Sequence, residues 1–79
     1  MIVAGHHVPP ELEAALTERM RVGAFTLDIL SAQAAGFADP QGLAKRLIMR
    51  ERKAGNIVQG TAGRWVWRGP VVGTAESEP

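Results

Sequence analysis

Helix-stop and helix-start residues recur at short intervals along this chain, and they constrain its fold more than any other feature. Pro9-Pro10 precedes an apolar pattern at helical spacing, Leu12, Ala15, Leu16 and Met20, and Gly23 follows it. Proline fits the first helical turn because no intrahelical N–H bond is needed there. Glu11 and Glu13 sit at the positive end of the helix dipole, Arg19 and Arg21 at the negative end. The spacing predicts a first helix over 10–21. Thr26 is a good N-cap and Asp28 suits a first turn. Leu27, Leu30 and Ala34 form a stripe with Ile29 beside it, and Gly36 fits a C′ position. A short second helix is expected over 27–35. Asp39-Pro40 restarts the pattern, which runs to Ala54 and closes at Gly55-Asn56, giving a third helix over 40–54.

After Gly55 the periodicity changes. Ile57-Val58-Gln59 and Arg64 to Arg68 are strand-like and flank the turn Gly60-Thr61-Ala62-Gly63. Two such runs around a glycine-containing loop read as a hairpin, with strands over 57–59 and 64–68. Residues 1–9 are an N-terminal segment in which Ile2-Val3 offer either a sheet edge or a loose end. Residues 10–69 make the domain, and Gly69-Pro70 opens a tail, 70–79, expected to be flexible. The class is therefore α+β, mainly α. Leu12, Leu16, Leu30, Leu43, Leu47 and Ile57 are the expected core.

Charge separates the chain into unlike parts. Residues 1–40 carry Arg19 and Arg21 against Glu11, Glu13, Glu18, Asp28 and Asp39, a net of −3. Residues 41–69 carry Lys45, Arg46, Arg50, Arg52, Lys53, Arg64 and Arg68 against Glu51 alone, a net of +6. The tail carries only Glu76 and Glu78. A contiguous basic segment points to a polyanionic partner. On a helical wheel of ~100° per residue, Leu43, Ala44, Leu47, Ile48 and Ala54 lie on one side of the third helix. Lys45, Arg46, Met49, Arg52 and Lys53 lie opposite, and Gly42 allows close approach near the start. A helix of this width fits the major groove of DNA, where Arg and Lys reach phosphates and guanine edges. A basic helix face is most often plain solvated surface. The short helix and tight turn before it, and the arginine-flanked hairpin after it, favour the nucleic-acid reading.

Over residues 10–69 the chain resembles the winged helix-turn-helix family of DNA-binding domains. Ala32 stands four residues before Gly36, like the small packing residue and turn glycine of that motif. Leu43 and Leu47 stand where it packs its recognition helix. Lys53-Ala54-Gly55-Asn56-Ile57-Val58 looks like the junction into the first wing strand. The resemblance implies three helices and a C-terminal β-hairpin wing, with the third helix as recognition helix and Gln59 to Arg64 as wing tip. It implies a small regulator of transcription, of bacterial or phage type. Two features depart from the pattern. Glu51 falls within the apolar face, where Leu is usual, and is expected either at the helix edge beside Arg64 or Arg68 or at a point where the helix turns outward. The second turn is about one residue longer than in the simplest units.

The expected DNA-binding residues are thus Lys45, Arg46, Met49, Arg50, Arg52, Lys53, Arg64 and Arg68. Lys45, Arg50, Arg64 and Arg68 would anchor phosphates, and Arg46, Met49 and Arg52 would meet base edges. Trp65 and Trp67 share a strand face. Either at least one closes the core against the first or third helix, or an exposed indole meets a partner subunit or a base. The alternatives to DNA binding are a winged helix used for protein contact and an RNA-binding or DNA-packaging accessory role. A domain of 79 residues would gain affinity as a homodimer on two half-sites.

Other chemistries find little support. There is no Cys, hence no disulfide, thiol nucleophile or thiolate metal site. His6-His7 has no carboxylate nearby and reads as a solvated pair, Ser31 and Ser77 lack an adjacent base, and no glycine-rich phosphate loop follows a strand. The expectation is a non-enzyme with no cofactor, metal or small-molecule ligand. Met1 to Gly5 lacks the character of a signal peptide, and no run approaches the ~20 apolar residues of a membrane span, so a cytoplasmic location is expected.

Overall fold

A computed structural model describes residues 1–69; the tail expected over 70–79 lies outside them. The chain opens with a small antiparallel ribbon, β1 (Ile2–Val3) and β2 (His6–His7). Ala4 and Gly5 make its turn, with φ of 52° and 80°. The ribbon is not loose, because Val3 and Val8 are both buried in the core.

Helix α1 (Pro10–Val22) buries Leu16 and Met20. Leu12 is only partly buried and packs at the core's margin. The Arg19 guanidinium donates to the carbonyls of Gly23 and Ala24, at 3.3 and 3.2 Å, and so caps the end of the helix. Helix α2 (Leu27–Gln33) begins at Thr26, whose hydroxyl accepts from the Ile29 N–H at 3.2 Å. Helix α3 (Pro40–Lys53) begins at Asp39, whose carboxylate accepts from the Gly42 N–H at 3.1 Å. Its inner side buries Leu43, Ala44, Leu47, Ile48 and Glu51. Gly55, at φ 81°, turns the chain out of α3. Strands β3 (Ile57–Gln59) and β4 (Trp65–Trp67) then pair antiparallel, with Ile57 opposite Trp67, Val58 opposite Val66 and Gln59 opposite Trp65.

Three helices followed by a two-stranded antiparallel hairpin make a mainly helical α+β domain, consistent with a winged-helix layout. One further piece of the sheet lies between α1 and α2. Phe25 forms an antiparallel bridge with Trp65 on the edge of β4 away from β3. Phe25 is fully buried, so one residue joins the hairpin to the helical core through both backbone and side chain.

Several details differ from expectation. Helix α2 ends at Gln33, two residues early, because the Ala34 N–H is shared between the Leu30 and Ser31 carbonyls and the chain tightens. The Phe37 N–H then bonds to Ala34, so the connection to α3 runs over 34–39. Gly36 does not take the left-handed conformation expected of a C′ glycine. Ala32 is exposed, and Ala34 is the small residue buried at the α2–α3 junction. Ala54 is exposed as well, since α3 has ended and the chain is turning.

Candidate nucleic-acid interface

Helix α3 supplies the largest part of the candidate site. Lys45, Arg46, Met49, Arg52 and Lys53 are all exposed, on the side of α3 away from the buried Leu43 and Leu47. The only carboxylate on α3 is Glu51, which is buried at 6% exposure on the opposite side. The outward face therefore carries cations and one methionine, without the acid–base pairs at i,i+4 spacing that support an ordinary solvated helix.

The hairpin adds Arg64 and Arg68. Residues directly opposite in an antiparallel pair share a face, and neighbours alternate. Trp65 and Trp67 face the core with Ile57, while Val58 and Val66 face outward, 38% and 37% exposed. Arg64 and Arg68 are exposed and flank Val66 in register. The wing tip is tight. The Gly60 N–H donates to the Arg64 carbonyl at 2.7 Å, and a single 3₁₀ turn over Thr61–Gly63 places Ala62 and Gly63 at φ of 57° and 72°.

The two tryptophans are partly buried against the core, and each carries a cation. The Arg52 guanidinium lies over Trp65, 5.8 Å from the ring centroid, and that of Arg21 over Trp67 at 6.0 Å. Arg52 thus stands where α3 meets the hairpin. The stacked position draws it away from the middle of the outward face expected for it.

Arg50 departs from the expected set altogether. Its guanidinium donates to Glu13 on α1 at 2.6 Å, to Glu51 at 2.8 Å and to the Thr17 hydroxyl at 3.4 Å. Burial alone would lower its pKa; the hydrogen bonds and charges of Glu13 and Glu51 outweigh that and raise it. This cation joins α1 to α3 and is already neutralised. Glu51 explains its own place in the apolar face through the same cluster. It meets neither Arg64 nor Arg68, but accepts from Arg50 and, at 2.7 Å, from the Asn56 side chain. A buried carboxylate without such partners would be strongly destabilising.

Gly42 has a role the sequence reading assigned elsewhere. A Cβ there would collide with the Asp39 carboxylate. The glycine makes room for the N-cap of α3 from within the protein, whatever approaches from outside.

Six expected cations remain, Lys45, Arg46, Arg52, Lys53, Arg64 and Arg68, and none forms an ion pair among the described residues. Sequence reasoning missed Phe25, whose bridge to Trp65 anchors the hairpin. The one available signal was an aromatic residue just before the Thr26 cap. His6 and His7 are exposed; the His6 ring stands T-shaped to that of Phe37, with centroids 6.3 Å apart. Among the described residues, no group of three or more His, Asp or Glu is placed to hold a metal ion, and no helix is long and apolar enough to cross a membrane.

Comparison with protein families, with curated proteins and with solved structures finds no match to this chain.

Proposed function

We propose that this domain binds duplex DNA, with α3 in the major groove and the β3–β4 hairpin against the flanking backbone. The observation that carries the reading is the set of six cations on α3 and the hairpin that form no ion pair among the described residues, with no carboxylate exposed on either element. Uncompensated like charges repel one another, and a polyanion relieves that repulsion while releasing its own counterions. An α-helix fits the major groove in width, and lysine and arginine reach both phosphates and base edges from it.

Arg64 and Arg68 serve as phosphate contacts, joined by Lys45 and Lys53. Arg46 is the arginine available to a base edge. Arg52 holds the hairpin through Trp65, and Arg50, partly exposed, is held by Glu13 and Glu51. A role in regulating transcription, as a homodimer on two half-sites, accords with a small domain whose single reading helix covers few base pairs. The protein-contact alternative calls for Trp65, Trp67 and Val66 to form an exposed apolar patch, and of these three only Val66 is exposed. Trp65 and Trp67 instead pack against the core and carry arginines.

The test is a fluorescence-anisotropy titration against random-sequence duplex, single-stranded DNA and double-stranded RNA over a salt series. Tighter binding to duplex DNA is expected, weakening as salt rises. With Lys45, Lys53, Arg64 and Arg68 on phosphates, the slope of log K against log salt should be about 4 in magnitude. Absence of duplex binding at low salt would defeat the proposal, and preference for RNA would move it to the accessory-protein reading.

A further inference from the structure

Met49 is an apolar side chain, 57% exposed, in the middle of a cationic surface. Single exposed apolar residues are common and need no explanation by themselves. Its position distinguishes this one. The buried residues of α3, Leu43, Ala44, Leu47, Ile48 and Glu51, define the inward direction of the helix. At ~100° per residue, Met49 falls close to the line diametrically opposite. Lys45 and Arg52 lie to one side of that line, Arg46 and Lys53 to the other. Gly42, two turns earlier on the same line, offers no side chain.

A helix that carries cations along both flanks and an apolar residue on its outermost line suits a groove walled by phosphates on both sides. Lys45 on one flank and Lys53 on the other reach the two walls, while Arg52 stays over Trp65. The central residue meets the floor and loses its water there. Desolvating a methionine is favourable only against an apolar surface. On the major-groove edges of the four bases, the apolar feature is the C5-methyl group of thymine.

From this arrangement, which rests on the duplex-DNA reading above, we infer that Met49 is a specificity-determining residue that selects thymine through its methyl group. Arg46 lies three residues earlier, and the helix rise between them, ~4.5 Å, slightly exceeds one base step of ~3.4 Å. The guanidinium and the thioether therefore address neighbouring base pairs. The preferred ligand is duplex DNA with a thymine beside the base pair met by Arg46. Uracil-containing duplexes lack the methyl and lose this contact.

The probes are two alternating duplexes of equal length, one of dA and dT and one of dA and dU, which differ in the C5-methyl alone. The intact chain should bind the dA–dT duplex about fourfold more tightly, the ratio expected from removing one methyl group from water. Met49→Ala should keep duplex binding and bring the ratio close to one. Met49→Leu should retain the preference. Because Met49 is exposed, both variants should fold as the parent does, which thermal melting would verify. Equal binding of the two duplexes by the intact chain would overturn the inference while leaving DNA binding intact. A ratio that persists in Met49→Ala would also overturn it, because the methyl would then act through duplex shape. Failure to bind either duplex at low salt would defeat the underlying DNA reading.

Discussion

Phe25 and Trp65 exchange both of their backbone hydrogen bonds. The Phe25 N–H donates to Trp65 at 3.0 Å, and the Trp65 N–H donates to Phe25 at 2.8 Å. An isolated two-stranded hairpin is marginally stable in water. The third backbone segment and the fully buried Phe25 ring supply what the hairpin lacks alone.

Phe25→Ala should therefore destabilise the whole domain, by roughly 3–5 kcal/mol, as is usual when a buried aromatic side chain is removed. In a domain this small, that approaches the entire stability. Chemical denaturation monitored by tryptophan fluorescence would measure it. A midpoint close to that of the parent would mean the hairpin holds without this anchor.

Arg50→Met should lower stability by about 1–3 kcal/mol, since it strips the buried Glu51 carboxylate of a partner, the effect being moderated by solvent at the partly exposed Arg50 and Glu13. The guanidinium pKa is raised in the folded state. Its contribution is thus complete at neutral pH and is lost only as pH climbs through that raised value. The penalty of the variant, as far as Arg50 sets it, should be flat across neutral and mildly alkaline pH. In DNA binding, the salt slope should equal the parent's, and a slope reduced by about 1 would return Arg50 to the phosphate contacts.

Arg64→Ala and Arg46→Ala should separate positioning from readout. Loss of Arg64 should weaken binding similarly on every duplex and reduce the salt slope by about 1. Loss of Arg46 should cost roughly 1–3 kcal/mol on a selected site and little on random sequence. Affinities across a salt series on both kinds of duplex provide the comparison. Identical behaviour of the two variants would count against a reading helix.

Gly42→Ala displaces the Asp39 carboxylate from its capping position. The lost cap costs about 0.5–2 kcal/mol, and the better helix propensity of alanine returns about 1 kcal/mol, so the net change should be small. The sharper expectation is a coupling. Asp39→Ala should cost about 1 kcal/mol in the parent and close to nothing once Gly42 is alanine. Denaturation midpoints of the four chains would reveal it. Additive effects would mean the cap survives beside a Cβ.

The elements legible in the sequence were those governed by local chemistry. Thr26, Asp39-Pro40 and Gly55 marked the boundaries correctly because a cap or a left-handed turn is decided by a few adjacent residues. The outward cations of α3 were legible because helical periodicity alone segregates them. Arg50 and Glu51 were not, since their partners Glu13 and Asn56 come from another element or from past the helix end. The Phe25 bridge escaped for a related reason, as a single residue has no periodicity. Gly36 misled because glycine permits a left-handed turn without requiring one.

Asn56 ties the hairpin to the end of α3 at several points. Its side chain and its N–H both donate to Glu51, to the carboxylate and the backbone carbonyl respectively, and its own carbonyl accepts from Arg68 at 2.7 Å. Gly69 packs so closely on its side chain that a Cβ there would clash. Both strands of the hairpin are thus fastened at one joint at the end of α3. On the proposed duplex-DNA reading, two working parts held at a set angle would leave any misfit to be absorbed by the duplex. Sequences that bend readily would then be favoured even at base pairs the protein never touches.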